Sequence, residues 1–198
     1  MRLLAVLVAF DVIVAVIVGL VIGMANNDDE TKRERARAPK SVLPAFVEPE
    51  KRALKKTFEK EARDSGVPIA LLEALAWRES RWRAEALNPE SGAIGIGQLL
   101  PETVTYVANQ VLHEPDLNPY IAVDNIRLTG RYVRILLDGF NGDETLAIAS
   151  YLQGSTSVKR DGVHTSTAGF VADVQAIGRR FQAALRGERG SARDPLTE

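Results

Sequence analysis

The chain contains no cysteine, which excludes disulfides, thiolate metal sites, a cysteine nucleophile and a cysteine-linked lipid anchor. Histidine is almost as scarce. His113 and His164 are the only two, and they lie too far apart to form a ligand pair, so no catalytic metal is expected. Aromatic residues make up 6% of the sequence, too few for a base-stacking platform. Neither sign of charge dominates. With 25 basic and 26 acidic side chains the formal net charge is -1, and no global field recruits DNA or RNA. Nucleic acid is therefore not an expected partner. No Gly-Lys-Ser/Thr run occurs, which removes a P-loop, and no glycine set follows a strand with dinucleotide spacing. No cofactor is expected. No internal repeat is visible.

What is present begins with one long hydrophobic run. Residues 3–25 are apolar except for Asp11 and follow Met1 and Arg2. At ~1.5 Å per residue the run can cross a ~30 Å hydrocarbon core. It reads as an export signal or an uncleaved membrane anchor. Its length exceeds the ~7–15 residues usual for a signal-peptide core, which favours the anchor. Gly23 and Ala25 place small residues at a cleavage-like site, which keeps release open. Lys32, Arg33, Arg35, Arg37 and Lys40 follow the run, and charge alone would hold the rest of the chain in the cytoplasm. The outward orientation expected here rests on function instead.

Residues 26–49 are polar, charged and punctuated by Pro39, Pro44 and Pro49, the composition of a flexible tether. Residues 187–198 are rich in Gly, Arg and Asp and read as a frayed tail. Between them, residues 50–186 have the size of one domain with its own core.

Within that domain the apolar spacing predicts helices. Residues 50–65 carry Leu54, Phe58 and Ala62 at four-residue spacing, an amphipathic pattern. Pro68 suits the first position of a second helix, whose stripe is Ile69, Leu72, Leu75 and Ala76. Pro101 opens a third helix to about residue 110. Asn118 and Pro119 open a fourth through Asn125, Tyr132 and Leu136. A fifth runs from Asp143 or Thr145 to Gln153, and a sixth covers residues 167–185. No strands alternate with these helices, so a parallel sheet is not expected. The fold class is mostly α, with a small Gly-rich hairpin at residues 91–99.

The next position on the second helix's stripe is Glu79. A carboxylate held in apolar surroundings resists ionisation, which is what a general acid needs. The bland alternative is a structural carboxylate paired with Arg78, Arg81 or Arg83. Soon after it comes Gly-Ala-Ile-Gly-Ile-Gly-Gln-Leu-Leu-Pro at residues 92–101. Its glycines would let an extended polymer approach the backbone, and Gln98 would aim at a ligand. Together they suggest an enzyme that protonates a glycosidic oxygen. Trp77 and Trp82 read as core more readily than as a sugar-stacking surface. Tyr151 stands at a helix end before Gln153 and Gly154, a more interesting place than the other tyrosines occupy.

These residues resemble a known family. The stretch from Leu72 to Ser80, the glycine run to Pro101, Asp124-Asn125-Ile126 with Gly130 and Tyr132, and Ala147 to Gly154 are similar to the catalytic domain of soluble-type lytic transglycosylases. That domain has a lysozyme-like (α+β) fold related to goose-type lysozyme. The resemblance covers roughly residues 55–185. It implies cleavage of the β-1,4 bond between N-acetylmuramic acid and N-acetylglucosamine in peptidoglycan, with a 1,6-anhydromuramoyl product. By the same resemblance Glu79 is the single acid and base. Ser80, Gln98 and Tyr151 orient Glu79 or the sugar, and Gly95 and Gly97 belong to the substrate-binding loop. The expected partners are peptidoglycan glycan strands, and the membrane through residues 3–25. The domain would lie outside the cytoplasm, anchored, or secreted or periplasmic if the amino-terminal segment is cleaved.

Two points qualify the resemblance. Ordinary glycosidases need two carboxylates ~5–9.5 Å apart, and Glu85, Glu90 and Glu102 fall at exposed-looking positions. The family's usual Ala-Tyr-Asn-x-Gly reads Ser150-Tyr151-Leu152-Gln153-Gly154 here. Leu152 cannot hydrogen-bond a sugar, and Gln153 is the residue expected to supply the amide. A lysozyme- or chitinase-like hydrolase, or a non-catalytic wall-binding or assembly protein, are the competing readings.

Overall fold

The computed structural model describes residues 43–188 together with Asp194 and Leu196. The expected membrane segment at residues 3–25 and most of the expected tether lie outside them. Among the described residues no helix is long and apolar enough to cross a membrane.

A 3-10 turn, Pro49–Leu54, leads into α1, Lys55–Ser65, which Gly66 ends in a left-handed conformation (φ 70°). Glycine adopts that geometry without steric cost. Helix α2, Ile69–Ser80, follows Pro68. Helix α3, Pro101–Tyr106, widens into a π-helical stretch, Val107–Leu112. Then come α4, Ala122–Gly139, and α5, Glu144–Gln153, where the Asp143 side chain caps the amide of Leu146. A short α6, Ser155–Asp161, precedes α7, Thr165–Leu185. The sequence pattern did not anticipate α6. It lies between Gly154 (φ 88°) and Gly162 (φ 73°), where a loop reading is natural.

Helix α2 is the centre of the fold. Every residue from Ala70 to Trp77 is buried, as is Ser80. The expected one-sided stripe is thus a helix buried on all sides from Ala70 to Trp77, as a core helix is. It packs chiefly on α7, whose Phe170, Val171, Val174, Ile177 and Phe181 are buried at helical spacing. An aromatic cluster fixes its carboxyl-terminal end. Trp82 lies 4.5 Å from Phe58, 5.6 Å from Trp77 and 5.5 Å from Phe181, centroid to centroid. Both tryptophans are core.

Leu43, Phe46 and Val47 are buried as well, although the sequence reads them as tether. Phe46 packs 5.1 Å from Trp77, so the folded unit begins before residue 50. At the other end the Trp77 indole and the Arg81 side chain donate to Asp194 at 3.2 and 2.7 Å.

The expected hairpin is present in minimal form. Ile94 and Leu99 exchange backbone hydrogen bonds of 2.9 and 3.1 Å, and Leu87 bridges to Ile94. These isolated antiparallel bridges are the β-structure of the described residues.

Candidate active site

Glu79 is the penultimate residue of α2. The helix then stops abruptly, because Arg81 (φ 52°) and Trp82 (φ 59°) are consecutive left-handed residues. Such geometry is unfavourable for bulky side chains. Burial of the Trp82 ring and its 3.0 Å indole bond to the Glu73 carbonyl hold it in place. The hook brings Arg83 back over the helix end. Its amide donates to the Ser80 hydroxyl at 3.1 Å, and its Nε donates to the Ser80 carbonyl at 3.1 Å.

The buried Ser80 hydroxyl in turn donates to the Ile96 carbonyl at 2.8 Å. This bond fastens the glycine loop to the acid-bearing helix. Ser80 was expected to orient Glu79 or the sugar; here both its bonds are to backbone of the loop and the hook. Among the described residues no hydrogen bond reaches the Glu79 carboxylate.

From the opposite side the loop is held by Asn125, which is fully buried. Its Nδ2 donates to the carbonyls of Ile94 (3.1 Å) and Pro119 (2.8 Å), and its Oδ1 accepts from the Gly97 amide (2.8 Å). The sequence reading placed Asn125 in a matching segment but gave it no role at the site. A polar residue among the apolar positions of a helix was the available signal.

Gly95 and Gly97 were expected to admit the polymer. Both are buried against protein instead. A Cβ on Gly95 would strike the Asn125 amide and come within 2.7 Å of the Pro119 carbonyl. A Cβ on Gly97 would strike the Thr129 hydroxyl and reach 3.0 Å from the Tyr151 hydroxyl. Their small size serves loop packing.

Tyr151 donates its hydroxyl to the Gly97 carbonyl at 2.6 Å. Burial, with a further contribution from the Glu79 charge, pushes its phenol well above the usual range, so it remains a donor at any relevant pH. Gln98 adopts φ 48°, and its side-chain nitrogen donates to the carbonyls of Ala86 (3.2 Å) and Gly95 (3.0 Å). Its side chain lines the cleft with Glu79.

Gln153 is committed elsewhere. Its nitrogen donates to the Ser157 hydroxyl (3.0 Å) and the Gly162 carbonyl (2.9 Å), and its oxygen accepts from the His164 amide (3.0 Å). It ties the α5–α6–α7 corner together and has no spare amide N–H to donate to a sugar. Leu152 beside it is exposed.

Two lobes of a cleft meet at Glu79. One, of about 510 Å³, is lined by Lys51, Arg78, Ser80, Arg81, Arg83 and Asp173 among others. The other, of about 380 Å³, is lined by Arg83, Ala86, Asn88, Glu90 and Gln98. Glu79 and Arg83 line both. Burial raises the Glu79 carboxyl from its ordinary 4.5 to about 7, against a smaller downward pull from Arg78. Near neutral pH it can therefore give a proton and take one back.

Of the other acids lining these lobes, Asp173 is paired with Arg78 at 2.9 Å, and Glu90 is exposed. The sequence reading missed two buried carboxylates. Glu73 is 1% exposed with neither oxygen hydrogen-bonded, and burial raises it to about 8. Glu61 is raised to about 7 by burial, partly offset by Arg131, whose Nε lies 3.3 Å away. Neither lines the cleft lobes at Glu79. Among the described residues no cluster of His, Asp and Glu could hold a metal ion.

Comparison with known proteins gives concordant results. The sequence pattern of the family described as Transglycosylase SLT domain matches residues 56–172. The chain is 29% identical over 131 residues to Peptidoglycan transglycosylase gp16 of Escherichia phage T7, covering 65% of this chain and 10% of the phage protein. Among solved structures it is similar to an inactive glutamate-to-glutamine mutant of Lytic Transglycosylase Slt from Pseudomonas aeruginosa (TM-score 0.61, 22% identity). It is also similar to the 70 kDa soluble lytic transglycosylase of Escherichia coli (TM-score 0.61, 19% identity). Each superposition covers 71% of this chain and 25% of the other. The chain thus spans a tenth to a quarter of the length of these relatives.

Proposed function

Because the chain belongs to the Transglycosylase SLT domain family, we propose that it is a peptidoglycan lytic transglycosylase with a lysozyme-like domain. It cleaves the β-1,4 bond between N-acetylmuramic acid and N-acetylglucosamine and leaves a 1,6-anhydromuramoyl end. The T7 relative carries the name of a peptidoglycan transglycosylase.

The observation that carries the reading is the state of Glu79. Its carboxyl, raised to about 7, is protonated in a useful fraction at neutral pH. It donates that proton to the glycosidic oxygen, and the bond from C1 of the muramoyl residue to that oxygen breaks. The resulting carboxylate takes the proton of the same residue's 6-hydroxyl as that oxygen closes on C1. No water enters and Glu79 ends as it began, so one carboxyl suffices where hydrolases use two. Residues 3–25 would hold the domain outside the cytoplasm, where its substrate lies, or release it there if they are cut.

One observation favours a second reading. Glu90 lines the same lobe as Glu79, and a carboxylate there that positioned water would make the enzyme a hydrolase. Mass spectrometry of purified peptidoglycan digested with the full chain separates the two, since the anhydro product is lighter by one water. The expected result is anhydromuramoyl ends from the wild type and none from Glu79→Gln. Reducing ends that vanish in Glu90→Gln would replace the lyase reading with hydrolysis.

A further inference from the structure

Four cations, Lys51, Arg78, Arg81 and Arg83, line the larger lobe beside Glu79. The first three have carboxylate partners. Lys51 lies 3.1 Å from Glu48, Arg78 2.9 Å from Asp173, and Arg81 2.7 Å from Asp194. Arg83 has none among the described residues. Its Nε is fixed on the Ser80 carbonyl, which leaves the two terminal nitrogens, a pair that can grip a carboxylate end-on, for the cleft. The cation that pulls on Glu79 is Arg78, so Arg83 is not acting as its counter-ion. Backbone strain in the preceding two residues is what sets Arg83 here, and strain of that kind gathers at ligand-binding positions.

We infer that Arg83 binds a carboxylate of the substrate's muramoyl substituent, and that it makes the site selective for acidic glycan strands. This rests on the peptidoglycan reading above. The carboxylate has two sources: the peptide stem, or the lactyl group once the stem has been removed. N-acetylglucosamine offers neither, so the contact would also set which sugar lies on which side of Glu79.

Binding is measured by calorimetry on the full chain in detergent, in a Glu79→Gln background that prevents turnover. The probes are stem-bearing strands, the same strands with their carboxylates converted to amides, and strands stripped by an amidase, which frees the lactyl acid. Arg83→Gln is expected to weaken binding of stem-bearing strands roughly tenfold, the scale of one charge-assisted hydrogen bond, with no change on amidated strands. Arg83→Lys should recover part of the loss. A loss confined to stripped strands assigns the lactyl acid, one confined to stem-bearing strands assigns the stem, and a loss on both shows that Arg83 takes whichever carboxylate is present. Equal loss on acidic and amidated strands, or no loss on either, overturns the inference. The cleavage assay on the wild type is separate. Absence of anhydro product there would sink the lyase reading while the calorimetry still decides the carboxylate contact.

Discussion

The hydroxyl of Tyr151 lies 2.6 Å from the carbonyl oxygen of Gly97 and donates to it, joining the end of α5 to the turn of the glycine loop. The same loop is bonded to Ser80 through Ile96, one residue from the acid. Tyr151 therefore acts on the loop that forms the wall of the cleft.

Tyr151→Phe should keep the ring packing against Tyr132, now 5.3 Å between centroids, and lose only the bond. Roughly 1 kcal/mol of stability should go with it. Turnover should fall further than KM changes, because the loop loses its register against Glu79. Paired denaturation and steady-state kinetics check this; unchanged kcat would show that the loop is held well enough by Asn125 alone.

Glu79→Gln should fold and be inactive. In the wild type kcat/KM should decline as pH rises through about 7, because the first step needs the protonated carboxyl. The stability sign runs the same way. A carboxyl raised from 4.5 to about 7 favours the folded state less as pH climbs between those values. Glu79→Gln should flatten that part of the curve. A pH–rate profile with no limb near 7 would mean that another group supplies the proton.

Glu73→Met should stabilise the protein, most of all in alkali. The Glu73 carboxyl is raised from 4.5 to about 8, so folding stability is lost as pH rises through that window, at roughly 1.4 kcal/mol per pKa unit. Methionine fills similar space without a charge to bury. Urea denaturation at pH 5 and pH 9 should give a gain on the order of a few kcal/mol at pH 9 and a small one at pH 5. Parallel curves for the two proteins would refute the assignment.

Gly97→Ala should cost roughly 1–3 kcal/mol, as overpacking does, because its methyl would strike Thr129. Gly97→Ala with Thr129→Ser should not restore stability, since serine retains the hydroxyl that is struck. Thr129→Ala, which removes it, should recover part of the loss. Thermal melts of the variants decide the matter.

The sequence made the buried carboxyl at Glu79, the hairpin and most helices legible because those signals are local. Glu79 is followed closely by the glycine run, and proline or glycine marks several helix boundaries. Glu73 escaped because a one-sided stripe was read where the helix is buried all round; in such a helix any acid is buried. Gln153 escaped for a different reason. Its partners, Gly162 and His164, come from a corner built by α6, whose seven residues carry too little periodicity to register. Asn125 is recognisable as a buried polar residue, but its partners at Ile94 and Gly97 lie 31 and 28 positions away and only the folded chain brings them together.

The burial of α2 bears on how the cleft opens. Amides at the centre of a buried helix exchange with solvent only through the largest openings of a protein, whereas exposed rims open with little cost. Glu79 rides on the first kind of structure. Asn88, Pro89 and Glu90, which line the smaller lobe with it, are exposed and belong to the second. Opening of the cleft is thus expected to be one-sided, with the rim giving way while Glu79 keeps its place.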